Sequence, residues 1–169
     1  MNDHESIGCH LLMDESLFPN LTSLHIEACN KISILISHSS LGSLEHLEKL
    51  EVLNCENMRE IVSLEESSNK IVLHRLKHLI LEELPNLKAF CLSSYNFFFP
   101  SLQKVQINNC PNMEVFSQGF SATPVLVDVT MNQSSLNTRG NIQKTADIND
   151  IVRRFKAFVC LILQSLSFS

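Results

Sequence analysis

Cysteine and histidine side chains are the groups in this sequence that could bind a metal ion or act as nucleophiles. The six cysteines are spread along the chain: Cys9, Cys29, Cys55, Cys91, Cys110 and Cys160. None of them forms the C-x-x-C pair that is typical of zinc sites. His74 and His78 are four residues apart, but they fall on a predicted strand and its lead-in, where that spacing does not align two ligands as it does on a helix. The sequence therefore predicts surface histidines and no metal site.

Catalytic motifs are also missing from the sequence. It contains no G-x-S-x-G turn, and its four glycines, at positions 8, 42, 119 and 140, are too far apart to form a phosphate-binding loop. We therefore expect no catalytic residues, no bound cofactor and no enzymatic activity.

Three of the cysteines instead mark one position of an internal repeat. The phrase F-x-x-L-x-x-L-x-I-x-x-C runs from Phe18 to Cys29. Copies with the same spacing follow at Leu44–Cys55, Leu73–Leu84 and Phe99–Cys110, with a degraded copy at Leu126–Met131. The lead leucines Leu21, Leu47, Leu76 and Leu102 are 26, 29 and 26 residues apart, which is the period of leucine-rich repeats.

Two periods alternate within each unit, and together they predict the fold. Apolar residues first alternate and then recur every third residue, so a short strand must be followed by an irregular or 3₁₀-like return segment. One unit cannot bury its apolar side, but stacked units share a core and align their strands. We predict an α/β leucine-rich-repeat solenoid of about five repeats with a concave parallel β-sheet and an irregular or 3₁₀ convex side. The repeated cysteines should be reduced, buried thiols that donate weakly to backbone carbonyls.

The two ends of the array are predicted to differ. We expect a poorly ordered leader at 1–17, the solenoid at 18–135, and a linker with a capping helix and tail at 136–169. From 147 to about 166 apolar residues recur every three or four positions, and Asp147 is available as N-cap, which indicates an amphipathic helix covering the last repeat. The first strand lacks such a cap, so we expect the core around Leu24 and Ile26 to be exposed.

Composition and charge restrict the classes of partner. The net charge of −5 is small and negative, whereas nucleic-acid binding needs a basic stripe. The first residues do not resemble a secretory signal, which favours a cytoplasmic location. Near the other end the uninterrupted apolar run at 157–163 is far shorter than the roughly 20 residues that span a membrane. We therefore expect a protein partner, no nucleic acid and no membrane span.

Two segments resemble the C-terminal repeats of plant coiled-coil, nucleotide-binding, leucine-rich-repeat disease resistance proteins. They read FPNLTSLHIEACNKI from Phe18 and FPSLQKVQINNCPNMEVF from Phe99, and the F-P-S-L opening and C-P-N-M ending are habitual in that family. The phrase L-P-N-L at Leu84 is a further likeness, and the resemblance extends well over 17–131 and faintly over 136–144. No phosphate loop of the family's nucleotide-binding domain is present, so we expect a detached C-terminal fragment whose divergent tail does not match the family.

The resemblance implies a protein-interaction module of plant defence. Such a module would recognise a pathogen effector or a guarded host protein, or would restrain a nucleotide-binding (NBS) switch domain. The candidate partner-binding residues are those that point outward from the concave strands: His25, Glu27, Lys49, Glu51, His78, Ile80, Glu82, Lys104, Gln106, Asn108, Asp128 and Thr130. Their mixture of charges, amides and isolated apolar groups suits protein recognition better than a small-molecule pocket.

Two alternative functions remain open at this point. The array could select substrates for an SCF-type ubiquitin ligase, whose cysteine-containing repeats read similarly but return through longer helices. It could instead be an extracellular array, because the sequence contains glycosylation sequons at Asn20 and Asn132.

Two segments lie outside the repeat register. We predict that the acidic stretch Ser63–Lys70 is a solvated insertion. Tyr95, Phe97 and Phe98 form an aromatic group for which we predict packing on the convex side rather than an exposed binding site.

Overall fold

The repeated phrase folds into a strand at each of its five copies. A computed structural model describes residues 20–64, 70–133, 136–140 and 147–167, with the side chains of 43, 136–140 and 166–167 left undescribed. The strands, in chain order, are β1 (Ser23–Glu27), β2 (Ile34–Ile36), β3 (Lys49–Leu53), β4 (Glu60–Val62), β5 (Lys70–Val72), β6 (His78–Glu82), β7 (Asn96–Phe98), β8 (Lys104–Asn108), β9 (Ser121–Ala122), β10 (Asp128–Gln133) and β11 (Leu136–Gly140). A 3₁₀ helix covers His38–Leu44, and helix α1 covers Ile148–Ser167.

The strands of the repeated phrase form one concave sheet. Its order is β1-β3-β6-β8-β10-β11; the first five strands are parallel and β11 pairs with β10 in the antiparallel direction. Equivalent repeat positions pair directly, so Leu24 lies beside Leu50 and Leu50 beside Leu79. This sheet closes a solenoid of about four turns and confirms the predicted fold class.

The return side contains more β-structure than the sequence indicated. The first unit returns through β2 and the expected 3₁₀ helix, and the short return strands pair into the parallel sheets β2-β4 and β5-β7-β9. These strands have only two or three residues each, too few to show the alternation by which a strand is recognised in sequence.

An aromatic cluster fills the core of the third and fourth units. Phe90 stacks on Phe116 with ring centroids 4.7 Å apart, and Phe97 stacks on Phe99 at 5.7 Å. Tyr95 is also buried, so the predicted packing holds for Tyr95 and Phe97. Phe98 is half-buried, and Lys70 Nζ lies 4.5 Å from its ring centroid. Most of the predicted insertion, positions 65–69, lies outside the described residues.

The repeated cysteines face inward, as predicted. Cys29, Cys55 and Cys110 are buried thiols. The Sγ of Cys55 donates to the carbonyl oxygen of Leu53 at 3.3 Å, and the Sγ of Cys110 to that of Asn108 at 3.4 Å. Burial raises the pKa of Cys110 to about 12, which keeps its thiol protonated and makes it a poor nucleophile. These cysteines are structural.

The prediction that Leu24 and Ile26 would be exposed is wrong. Leu24 is 0% exposed and Ile26 is 5% exposed. Both side chains point into the solenoid, where they join the core cluster that contains their register partners Leu50 and Val52.

Asparagine side chains link the turns of successive units. Asn57 donates from Nδ2 to the carbonyl of Asn30 at 2.6 Å, and Asn112 does the same to Pro85 at 2.7 Å. Asn86 makes the equivalent bond, at 2.8 Å, to the carbonyl of Glu56. The asparagine of the C-P-N-M phrase therefore satisfies a backbone acceptor that the turn leaves unpaired.

Helix α1 docks on the return side of the fourth unit. Its N-terminus is capped by Asp147, whose Oδ1 accepts from the backbone N of Asn149 at 2.9 Å. Ile148 and Val152 join the core, and Asn149 is buried against the backbone of Ser117 and Gly119. Gly119 must lack a side chain, because an added Cβ would lie 2.1 Å from the carbonyl oxygen of Tyr95.

One backbone position in each unit adopts a left-handed conformation. The residue after each of the first four long parallel strands has positive φ: Ala28 (54°), Asn54 (53°), Glu83 (53°) and Asn109 (50°). Asparagine tolerates this region, whereas a residue such as alanine is strained by contact of its Cβ with the backbone.

We expect Ala28→Asn to stabilise the chain by about 0.5–1 kcal/mol, because asparagine relieves strain at this position. Ala28 is exposed, so the new side chain remains solvated. Urea unfolding followed by circular dichroism measures the change. The matched control is Ala157→Asn at an exposed position of α1, where asparagine is a poorer helix former and should destabilise. A neutral or destabilising Ala28→Asn would show that the left-handed position carries no strain.

Candidate functional site

The outward side chains of the concave strands form three parallel rows across the sheet. The leading row is Ser23, Lys49, His78, Lys104 and Asp128; the middle row is His25, Glu51, Ile80, Gln106 and Thr130; the trailing row is Glu27, Leu53, Glu82, Asn108 and Asn132. Neighbours within a row are about 4.8 Å apart through the backbone ladder. The structure thus brings all twelve predicted residues onto one face.

Charge is distributed unevenly over this face. Lys49 and Lys104 lie in the leading row, which ends at Asp128, whereas Glu27 and Glu82 lie in the trailing row. The concave face therefore has a basic edge and an acidic edge, separated by the width of the strands.

An ion pair and a hydrogen bond to Glu51 hold side chains of the first two strands. His25 Nδ1 lies 3.2 Å from Glu51 Oε2, and Lys49 Nζ lies 3.0 Å from Glu51 Oε1. Burial pushes the pKa of Glu51 upward, but the hydrogen bonds from Lys49 and His25 outweigh it and leave that pKa below its ordinary value. Glu51 is therefore a fixed negative charge at neutral pH.

The opposite end of the face carries fewer charges. Gln106, Asn108 and Thr130 are half-buried uncharged groups, and only a long contact of 3.9 Å joins Lys104 to Asp128. Ile80 sits between the two ends as a half-buried apolar side chain. A surface of this kind offers ion pairs at one end and hydrogen bonds at the other.

A fourth row, which is absent from the predicted binding residues, extends the surface. The residue before each parallel strand continues the backbone ladder: Thr22, Glu48, Lys77, Gln103 and Val127. Within it, Lys77 Nζ lies 2.8 Å from Glu48 Oε2, which lowers the pKa of Glu48 through this hydrogen bond. The repeat pattern could have indicated this row, because each of its residues directly follows the lead leucine of its unit.

In the ranges that the structure describes, no three His, Cys, Asp or Glu side chains converge into a group that could hold a metal ion. Over the same ranges, no helix combines the length and the apolar character required to cross a membrane.

Comparison with known proteins gives two matches. The sequence profile described as "Plant disease resistance protein RPS2-like, leucine-rich repeats" matches residues 1–123. A probable disease resistance protein of Arabidopsis thaliana is 28% identical over 117 residues, which cover 68% of this chain and 13% of that protein. The chain thus spans only a small part of the length of this relative. No solved structure matches the chain.

Proposed function

The chain belongs to the leucine-rich-repeat family of plant disease resistance proteins, and on this premise we propose that its concave face is a protein-recognition surface. Family membership makes it a defence-related repeat module, and solenoids of this class are typical of interaction modules rather than enzymes. The proposed partner is a pathogen effector, a guarded host protein, or a nucleotide-binding switch domain that the repeats hold inactive. The proposed location is the cytoplasm.

The observation that carries the proposal is the polarised concave face. Lys49 and Lys104 on the basic edge can pair with acidic groups, while Glu27 and Glu82 on the acidic edge can pair with basic groups. Charge arranged in this way fixes the orientation of a partner and accelerates its encounter more than it raises affinity. Ile80, between the edges, can bury an apolar contact at the centre, where interface energy is usually concentrated.

The alternative role in a ubiquitin ligase gains no support. In that class the repeats return through longer helices, whereas the described segments after Leu84 and Cys110 return through turns and short strands. The second sequon does not support the extracellular alternative, since Asn132 lies half-buried in β10.

A nucleotide-binding domain of the resistance-protein class is the first partner to test. We expect it to co-purify with this chain after co-expression and to retain bound ADP longer than it does alone. Lys49→Glu and Lys104→Glu together should weaken binding at least tenfold, because each places a like charge opposite the acidic groups of the partner. Isothermal titration calorimetry measures the affinity, and nucleotide exchange measures the retention.

Lys31→Glu is the matched control for this experiment. Lys31 is exposed in the turn that follows β1, outside the concave rows, so its reversal changes the net charge as much as either single concave reversal does and should leave binding unchanged. Binding that survives both concave reversals, or that Lys31→Glu weakens equally, would place the contact elsewhere on the solenoid and contradict the proposal.

A further inference from the structure

The end of α1 carries apolar side chains that the described structure leaves uncovered. Phe158, Leu161 and Leu163, hereafter the apolar tip, are 44%, 66% and 55% exposed. The beginning of the same helix is packed, since Ile148 and Val152 are fully buried. The apolar side chains of α1 are therefore more buried at the start of the helix than near its end.

Burial of the helix decreases after Val159. Val159 and Leu163 are four residues apart and lie on the same face of the helix. Val159 is 4% exposed, whereas Leu163 is 55% exposed. The face that contacts the solenoid at Val159 is therefore only partly covered one turn later, where Ile162 is half-buried and Leu163 is exposed.

The apolar tip is exposed in several directions. At about 100° per residue, Leu161 lies roughly 60° from Phe158 on one side, and Leu163 lies roughly 140° from it on the other. A groove on a protein covers one stripe of a helix, with anchors at spacings of three and four residues. A surrounding apolar medium covers all three side chains at once.

Charged groups are sorted along the helix in a way that fits a membrane surface. Asp147 and Asp150 lie at the start, far from the tip. Arg153 and Arg154 are exposed and lie between these acids and the tip. With a rise of about 1.5 Å per residue, Arg154 is about 10 Å from Leu161 along the axis, which is close to the depth over which interfacial helices insert below lipid headgroups.

We propose that the apolar tip inserts into the surface of a membrane that contains anionic lipids, with Arg153 and Arg154 contacting the headgroups. The attraction of anionic headgroups for basic residues adds to the burial of the three apolar side chains. A second copy of the chain is a poorer occupant, because three such side chains provide a few hundred Å² at most, against about 800 Å² per partner in a standard interface. The helix lies outside residues 1–123, which match the family, so this contact is independent of the concave face.

Tryptophan fluorescence tests the proposal directly, since the chain contains no tryptophan. Phe158→Trp places the reporter in the tip. We expect its emission to shift to shorter wavelength on addition of vesicles with about 30% phosphatidylserine in phosphatidylcholine, and to remain unchanged with phosphatidylcholine alone. The shift should decrease several-fold when the salt concentration rises from about 0.1 M to about 0.5 M.

Phe120→Trp is the matched control, because Phe120 is 45% exposed but lies beside β9, away from the tip. Its emission should not change with either vesicle. In the Phe158→Trp background, Leu161→Glu should reduce vesicle binding at least tenfold, and Arg153→Gln with Arg154→Gln should reduce it to the level seen with neutral vesicles. Circular dichroism confirms that each variant retains its fold.

Three results would overturn the proposal. The first is an unchanged Phe158→Trp emission with anionic vesicles, and the second is an equal shift for Phe120→Trp. The third is a dimer detected by light scattering without lipid that Leu161→Glu dissociates, which would identify a second copy as the occupant of the tip.

Discussion

Replacing Leu79 by aspartate is expected to abolish cooperative folding. Leu79 is fully buried in β6, the central strand of the five parallel ones, between Leu50 and Val105. A carboxylate there has no partner and must either lose its hydration or open the core. The expected cost is about 4 kcal/mol or more, against a total stability of about 5–15 kcal/mol for a typical domain.

The neighbouring residue supplies a control, because the same change to aspartate there affects the opposite side of the strand. Ile80 follows Leu79 and points to the concave face, where it is half-buried. Ile80→Asp should therefore retain the fold and weaken partner binding. Urea unfolding of both variants, followed by circular dichroism, tests whether inward and outward side chains alternate along β6 as described. If Leu79→Asp folded and Ile80→Asp did not, the strand register would be shifted by one residue.

The concave sheet was predictable because its pattern occurs five times. The strand of each copy places His25, Glu51 and Ile80 at equivalent positions, and the repeat spacings of 26 and 29 residues are also the separations of the paired residues. The repeat spacing therefore determines which residues pair between neighbouring strands. The twelve candidate residues were placed on one face for the same reason.

The ion pairs on that face were less predictable than its register. Lys49 and Glu51 belong to one strand, and His25 reaches the same carboxylate from the neighbouring strand. Which of the two oxygens each group contacts depends on side-chain rotamers, which repeat spacing does not specify. Burial of Glu51 then depends on neighbours in both strands.

The short return strands and the exposed helix end could not be predicted, for different reasons. A strand such as Ile34–Ile36 is too short for its period to appear in sequence, and it forms because Glu60–Val62 lies beside it. The apolar pattern of α1 correctly indicated a helix. Val159 and Leu163 are both apolar, so the pattern does not show that one is buried and the other exposed. The buried valine and the exposed leucine differ in how much of the rest of the molecule packs against each of them, which depends on the tertiary structure.

The attachment of α1 depends on one buried amide, which leads to the second large effect that we expect. Asn149 is 1% exposed. Its Oδ1 accepts from the backbone N of Ser117 at 2.8 Å, and its Nδ2 donates to the carbonyl of Gly119 at 2.8 Å. One unit earlier, the backbone N of Cys91 is satisfied by the carbonyl of Phe116 in the following unit. At Ser117 the side-chain amide of Asn149 therefore replaces the backbone carbonyl that a following repeat would provide.

Asn149→Ala should destabilise the chain by about 1–3 kcal/mol, because it leaves the buried backbone N–H of Ser117 unpaired. The carbonyl of Gly119 keeps the hydrogen bond that Ser117 Oγ donates to it at 2.9 Å. Urea unfolding gives the free energy, and hydrogen exchange at the Ser117 amide gives the local effect, which we expect to be a large loss of protection. The control is Asp150→Ala at the adjacent exposed position, which loses only a 3.5 Å contact with Arg153 and should change stability by less than about 0.5 kcal/mol. Equal stability of the two variants, with Ser117 still protected, would mean that packing of Ile148 and Val152 alone holds α1 and that the amide is dispensable.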